Sequence, residues 1–320
     1  MNDILTRIGL YGVMPIVKIR RPSDALPLAK AFVSAGLPVM EITYRTEHAE
    51  CAIREISSEI PNMLIGAGTV LTPAQAESAK AAGAKYIVTP NLDPKVVGWC
   101  LENDMPILPG CATPTDVANA AALGLEAVKI FPAGALGGVD LIKSLSGPFT
   151  GMKYLPTGGV TADNMLDYLR LPSVLSVGGS FMADQALVDA GDFDAVAAKA
   201  RAVMSRMYGF ALAHVGVNCP DEASAKKAAS LMSAMFGFEP AESAKAVFVG
   251  GQLEFMKSPY LGEKGHIAIG TNFLGRAMFR FEQMGFEFNR SELKYDEKGA
   301  LNAAYFAEDF FGFAFHLIQK

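Results

Sequence analysis

Short apolar runs alternate with alanine-rich amphipathic segments from the start of the chain to about residue 207. The runs at 13–18, 39–43, 64–69, 86–90, 107–111, 127–132, 153–159 and 175–180 are too short for helices, and they are apolar nearly throughout. That pattern predicts strands closed in on both faces. Segments such as 22–35, 48–60, 73–82 and 115–123 carry apolar residues at helical spacing. Pro73 and Pro114 stand where a first helical turn tolerates proline, and Gly36, Gly83 and Gly124 stand where helices stop. Eight strands, each followed by a helix, predict an α/β fold, a (β/α)8 TIM barrel over residues 1–207. A doubly wound open sheet is the alternative. After residue 209 the texture changes: phenylalanine becomes frequent and strict apolar–polar alternation appears. Residues 210–320 are expected to form a second, smaller α+β domain.

Composition changes this picture little. The chain has 320 residues, 51% hydrophobic and 19% charged, with a formal net charge of -5. That balance suits two globular domains and argues against nucleic acid as a partner, which calls for basic excess. The first residues lack the apolar core of a signal peptide, and no apolar run is long enough to span a bilayer. Cys51, Cys100, Cys111 and Cys219 show no paired spacing. They read as free thiols in a cytoplasmic protein, with no membrane partner.

The candidate chemistry centres on 126–133, Glu-Ala-Val-Lys-Ile-Phe-Pro-Ala. It reads as a buried strand with Lys129 in its middle. Burial disfavours the charged form of a lysine, and a neutral amine attacks carbonyl carbon and forms Schiff bases. The plain alternative is a structural ion pair. In a barrel, active-site residues lie at the C-terminal ends of the strands. Glu41 with Arg45, Thr69, Pro90 with Asn91, Lys129, Thr157 with Gly158 and Gly159, and Gly178 with Gly179 and Ser180 all fall there. Glu41 can carry protons for a Schiff-base lysine. Backbone N–H groups at the ends of the seventh and eighth barrel strands make a phosphate site, and Arg45 can clamp a carboxylate or phosphate. Together these describe a lysine that attacks a ketone, a carboxylate that moves protons, and a place for an anionic tail.

Residues 10–207 resemble the class I 2-keto-3-deoxy-6-phosphogluconate (KDPG) and 4-hydroxy-2-oxoglutarate (KHG) aldolases. The resemblance rests on 41–46 (Glu-Ile-Thr-Tyr-Arg-Thr), 66–71 (Gly-Ala-Gly-Thr-Val-Leu), 109–113 (Pro-Gly-Cys-Ala-Thr), 128–133, 147–149 with 156–159, and 178–180. It implies that Lys129 forms the Schiff base and Glu41 is the acid/base. It also implies that Arg45, Thr69 and Thr157 bind the keto-acid end, while the glycine pairs and Ser180 bind phosphate. Pro90 completes the expected substrate contacts. The implied substrate is a keto-acid phosphate, the implied assembly a homotrimer, and the aldolase needs no cofactor beyond its lysine. Asn91 stands where many of these enzymes have glycine, and the related 6-phosphogalactonate aldolases share Thr-Pro-Asn at this point.

The second domain repeats itself. His-Val-Gly-Val-Asn at 214–218 recurs as His-Ile-Ala-Ile-Gly at 266–270, and Gly-Phe-Glu at 237–239 recurs at 285–287. Two halves of strand, helix and further strands predict a paired βαβββ fold and resemble the vicinal oxygen chelate (glyoxalase-like) superfamily. Three of the chain's four histidines lie here. Alternation puts His214 on a face with Leu212 and Gly216, Glu254 opposite Leu253 and Phe255, His266 with Ala268 and Gly270, and His316 with Gly312 and Ala314. His214, Glu254, His266 and His316 are therefore candidate ligands of a divalent metal, and their positions match those the superfamily uses. The alternative is a domain whose histidines bind nothing. The leading reading of the chain is an aldolase. Its rival is a metal- or small-molecule-binding protein working through residues 210–320.

Overall fold

Strands β1 (Val13–Val17), β2 (Val39–Thr43) and β3 (Leu64–Gly68) are buried at every position, which is why they lack alternation in the sequence. The structure is a computed structural model that describes residues 1–320. The chain divides into two compact units, Met1–Arg206 and Met207–Lys320.

In the first unit, β4 (Tyr86–Val88), the short pieces β5 (Ile107–Leu108) and β6 (Gly110–Cys111), β7 (Ala127–Ile130), β8 (Lys153–Pro156) and β9 (Val177–Gly179) complete the strands. One ladder runs β5-β4-β3-β2-β1-β9 and another β6-β7-β8. Pro109 has no N–H to donate and splits one stave into β5 and β6; its carbonyl accepts from the Lys129 N–H. Parallel bridges between Tyr154 and Val174 and between Thr157 and Gly178 join β8 to β9. Every ladder is parallel. Eight staves thus close into a (β/α)8 barrel rather than an open sheet.

Helices α2 (Ala25–Ser34), α3 (Ala49–Glu59), α4 (Pro73–Ala82), α5 (Pro94–Glu102), α6 (Pro114–Ala122), α7 (Gly138–Ser146) and α8 (Met165–Leu169) follow the staves in turn. Before the barrel comes α1 (Asp3–Tyr11); after it come α9 (Gln185–Ala190) and α10 (Phe193–Tyr208). Local signals set the ends. The Thr72 side chain accepts from the Gln75 N–H at the start of α4, and Gly83 closes that helix at φ 104°. A reciprocal Thr113–Asp116 capping box starts α6 at Pro114, one residue earlier than the apolar spacing alone predicts. No helix is long and apolar enough to cross a membrane.

The second unit is built of two halves of like order. The first is β10 (Ala211–Asn218), α11 (Glu222–Phe236), β11 (Pro240–Glu242), β12 (Ala246–Val249) and β13 (Leu253–Met256). The second is β14 (Gly265–Thr271), α12 (Leu274–Gln283), β15 (Lys294–Tyr295), β16 (Leu301–Phe310) and β17 (Phe313–Gln319). They form one sheet in the order β11-β12-β13-β10-β14-β17-β16-β15. The halves meet at β10 and β14, which pair antiparallel with His214 opposite Ala268 and Gly216 opposite His266. Exchanging 214 for 266 and 216 for 268 returns the same pairing, so the repeat in the sequence becomes a pseudo-twofold between these strands. Asp221 caps α11 through the Ser224 N–H. Behind the sheet, Ala225 and Ala229 of α11 pack on Val247, Val249 and Phe255.

Candidate functional site

Lys129 lies in β7 and Glu41 in β2, on opposite arcs of the barrel. Both point inward: Lys129 Nζ is 3.8 Å from Glu41 Oε1, with the side chains 7% and 1% exposed. Neither Glu41 carboxylate oxygen has a hydrogen-bond partner. Burial pushes the Glu41 carboxyl above its ordinary value, against the opposing pull of Lys129 and then Arg45. The space for that carboxyl exists because residue 68 is glycine. A Cβ on Gly68 would stand 1.9 Å from Glu41 Oε1. Below it, the Tyr86 ring occupies the place a Gly66 side chain would need. The Tyr86 hydroxyl donates to the carbonyl of Met40 at 3.0 Å, pinning the backbone just before Glu41.

The other predicted residues spread around the same rim. Arg45 is exposed on the loop after β2, and its charge is felt at Glu41. Thr69 ends β3 in the left-handed region at φ 55°, a costly conformation for a β-branched residue and one often stored at functional sites. Pro90 is half-buried, and its carbonyl fills the place of a Gly110 Cβ, at 2.1 Å. Thr157 Oγ1 is buried without a partner. It lies 2.7 Å from where a Gly178 Cβ would be, so Gly178 is glycine to admit the Thr157 side chain. Gly158 and Gly159 both take positive φ, 86° and 81°. Their turn lies against Pro132 and Gly134, and the Gly134 N–H donates to the Gly158 carbonyl at 2.8 Å. Gly179 is extended, with the Phe181 ring 2.5 Å from its absent Cβ, and Ser180 is exposed at the start of a single 3-10 turn.

Sequence reasoning missed Phe131, whose ring centroid lies 5.2 Å from Lys129 Nζ. A phenylalanine beside a buried lysine reads as ordinary core, so the only available signal was its adjacency to the proline that ends the strand. The constructive role of Gly68 was also missed, since a glycine at a strand end reads as a turn.

In the second unit, Glu254, His266 and His316 point to the side of the sheet where His214 stands. Glu254 on β13 lies opposite Gly216, and His316 on β17 opposite Ala268. His266 Nε2 is 2.9 Å from Glu254 Oε2 and 3.2 Å from His214 Nε2, while His214 Nε2 is 3.4 Å from Glu254 Oε2. Ligands bound tetrahedrally at about 2.0–2.1 Å would be separated by about 3.3 Å, so the three atoms have the spacing of a shared ion's ligands. His214 has its pKa lowered by burial, with Glu254 opposing and His266 adding to the effect. The neutral imidazole this favours is the form that ligates metal.

His316 stands outside that trio. Its ring is stacked on Tyr305, centroids 4.3 Å apart. Its pKa is pushed down to about 3 by burial and then by His266 and His214. One part of the alternation argument fails here. A bulge in β10 between Leu212 and His214 sets Leu212 opposite Ile269 and His214 opposite Ala268, so Leu212 and His214 face opposite sides. The room expected at Gly216 is also taken: the His266 ring would come within 2.0 Å of a Cβ there. Tyr260, Tyr305 and Phe248, none of them anticipated, wall the cluster with aromatic rings.

Comparison with known proteins supplies the context for the barrel. The family model described as KDPG and KHG aldolase matches residues 4–199. The 2-dehydro-3-deoxy-phosphogluconate aldolase of Treponema pallidum is 42% identical over 198 residues, 62% of this chain and 94% of that protein. Its counterpart from Pseudomonas aeruginosa is 41% identical over 194 residues, 61% of this chain and 88% of that protein. Among solved structures, KDPG aldolase from Legionella pneumophila, with pyruvate captured as a covalent carbinolamine intermediate, superposes with a TM-score of 0.61. It is 33% identical and covers 63% of this chain and 98% of its own.

Proposed function

The chain belongs to the KDPG and KHG aldolase family, and on that premise we propose that it cleaves 2-keto-3-deoxy-6-phosphogluconate to pyruvate and glyceraldehyde 3-phosphate through a Schiff base on Lys129. The observation that carries this reading is the buried Lys129–Glu41 pair, 3.8 Å apart inside the barrel. The Lys129 amine attacks the C2 ketone to give a carbinolamine, and loss of water gives an iminium. Glu41 takes the proton from the C4 hydroxyl as the C3–C4 bond breaks. The bonding electrons pass into the iminium, forming an enamine, and the aldehyde departs. Glu41 then returns a proton to C3, and water releases pyruvate from the lysine. A carboxyl whose pKa burial raises is suited to both directions of transfer.

Arg45, Thr69, Pro90 and Thr157 are assigned to the keto-acid end. The backbone around Gly158, Gly159, Gly178, Gly179 and Ser180 is assigned to the phosphate, whose binding two successive left-handed glycines favour by presenting adjacent N–H groups. The direct test is borohydride reduction in the presence of pyruvate: the peptide containing Lys129 should gain the mass of a reduced pyruvyl group, and the Lys129→Ala protein should gain nothing. Labelling elsewhere would defeat the assignment. Asn91 supports a second reading, in which the C4 epimer from 2-keto-3-deoxy-6-phosphogalactonate is the better substrate; kcat/KM for the two epimers decides between them. The resemblance also carries a homotrimer, which sedimentation of the purified protein tests.

For the second unit we propose a single divalent metal ion bound by His214, Glu254 and His266. The support is the donor set, its mutual spacing, and the buried, unpartnered Nδ1 atoms of His266 and His316 beside it. Bound there, an ion would supply Lewis acidity independent of the barrel chemistry, which uses the iminium as electron sink.

A further inference from the structure

From the arrangement around the His214–Glu254–His266 trio we infer that His316 is not a metal ligand but lines, with Tyr305, a site for a 2-oxo acid monoanion bound to the metal. This rests on the metal reading above.

Three observations carry it. First, the trio is self-sufficient: its atoms are 2.9, 3.2 and 3.4 Å apart without His316. An ion held by three side chains keeps coordination free for an outside ligand, whereas four would close a structural site. Second, His316 is held elsewhere. It is 3% exposed, stacked on Tyr305, with ring centroids 5.4 and 5.3 Å from His214 and His266. Its Nδ1 is buried and has no partner, so the pocket contains a polar group that an incoming ligand can satisfy. Third, the walls are flat. The Tyr260 and Tyr305 rings both lie 6.5 Å from His266, and their centroids are 6.2 Å apart. Slots between aromatic rings favour small planar molecules.

Charge narrows the ligand further. A divalent ion with one carboxylate, Glu254, leaves a local net charge of +1, which favours a monoanion. A 2-oxo acid is planar, carries one negative charge and offers adjacent carboxylate and ketone oxygens to a hard or borderline cation. It is also the class of product that the barrel of the same chain releases.

The test uses the full-length Lys129→Ala protein, in which the barrel cannot capture pyruvate covalently, loaded with Co(II). Metal content and the visible Co(II) spectrum are read while pyruvate is added, with acetate as a one-group control. We expect one bound Co(II) per chain, a saturable spectral change with pyruvate, and a half-saturation for acetate at least about tenfold higher. Adding His316→Phe, which keeps a ring to stack on Tyr305, should leave Co(II) bound and weaken pyruvate by about tenfold, the lower end of what outer-shell partners contribute. Bound Co(II) whose spectrum ignores pyruvate overturns this inference and spares the metal site. Loss of Co(II) on His316→Phe, with retention in the parent, makes His316 a ligand and also overturns it. Failure of the parent to bind Co(II) at all overturns both readings.

Discussion

Replacing Gly68 by alanine isolates the position of the Glu41 carboxylate from its chemistry. The backbone at Gly68 is not in the left-handed region, so alanine fits it without conformational strain. The whole perturbation is one methyl group, placed 1.9 Å from Glu41 Oε1 and 2.5 Å from its carboxyl carbon. Ordinary contact begins at 3.4 Å, so the carboxylate must retreat by about 1.5 Å. Displacement of a catalytic group by about 1 Å costs on the order of 10²-fold, so kcat for pyruvate release should fall by at least about that factor, or roughly 2.7 kcal/mol in the barrier. Overpacking should cost about 1–3 kcal/mol of stability as well. The assay is therefore run well below the variant's melting temperature. It is paired with borohydride trapping of pyruvate, which needs Lys129 in place and should survive. Wild-type turnover with the methyl group present would mean that the carboxylate position does not govern the rate, and the acid/base role of Glu41 would fall with it.

Glu41→Gln should lower kcat by about 10²–10⁴-fold with a much smaller change in KM; an effect confined to KM would make Glu41 a binding group. Its influence on stability has a defined sign. The folded pKa lies above the unfolded value of 4.5, so the contribution of Glu41 is fully present below 4.5 and is lost as pH rises through the folded value. Denaturant melts across that range should flatten in the Glu41→Gln protein. Gly159→Val should erase any preference for KDPG over 4-hydroxy-2-oxoglutarate, because its Cβ would meet Gly134 Cα at 3.0 Å in a residue with φ 81°; equal kcat/KM for both substrates in the unmodified protein would count against a phosphate site. Saturating divalent metal at about 100 times its Kd should stabilise the full chain by about 2.7 kcal/mol, and His214→Ala or Glu254→Ala should abolish that gain.

The barrel was legible because its signals are local. A strand buried on both faces has to be apolar throughout, and the helix starts at Pro73 and Pro114 and the stop at Gly83 are written in single residues. The lysine stood out for the same reason, being the one amine in a run that otherwise tolerates only carbon. What could not be read were relations between residues distant in sequence. Nothing in 64–68 alone says that Gly68 is glycine for the sake of Glu41, since that depends on the β2–β3 register, which pairs Thr43 with Gly68 and Glu41 with Gly66. Gly178 misled in the same way. In sequence it belongs with Gly179 as a loop pair, but its missing Cβ makes room for Thr157 across the bridge that closes the barrel.

In the second unit a symmetry argument did what local patterning could not. Alternation fixes the side of a strand only while the ladder is regular, and the bulge in β10 removes its authority over Leu212. The repeat is immune to that fault. It relates His214 to His266 and, through the outer neighbours of β10 and β14, Glu254 on β13 to His316 on β17. A strict twofold would then treat Glu254 and His316 alike. The sequence breaks the symmetry by placing a carboxylate in one half and an imidazole in the other. The structure follows, with Glu254 2.9 Å from His266 Nε2 while His316 turns its ring onto Tyr305. The partner across the equivalent ladder in the first half explains the difference. Glu254 lies opposite Phe248, and His316 lies opposite Tyr305. Phe248 meets His214 edge-on at 5.7 Å and offers Glu254 no hydrogen-bonding group, which leaves the carboxylate to the imidazoles. Tyr305 offers His316 a parallel face to stack on. Changing Tyr305 to leucine should therefore free the His316 ring, and the Co(II) spectrum of the loaded protein should move toward that of a four-ligand site. An unchanged spectrum would mean that the backbone of β17, rather than the stack, holds His316 away from the trio.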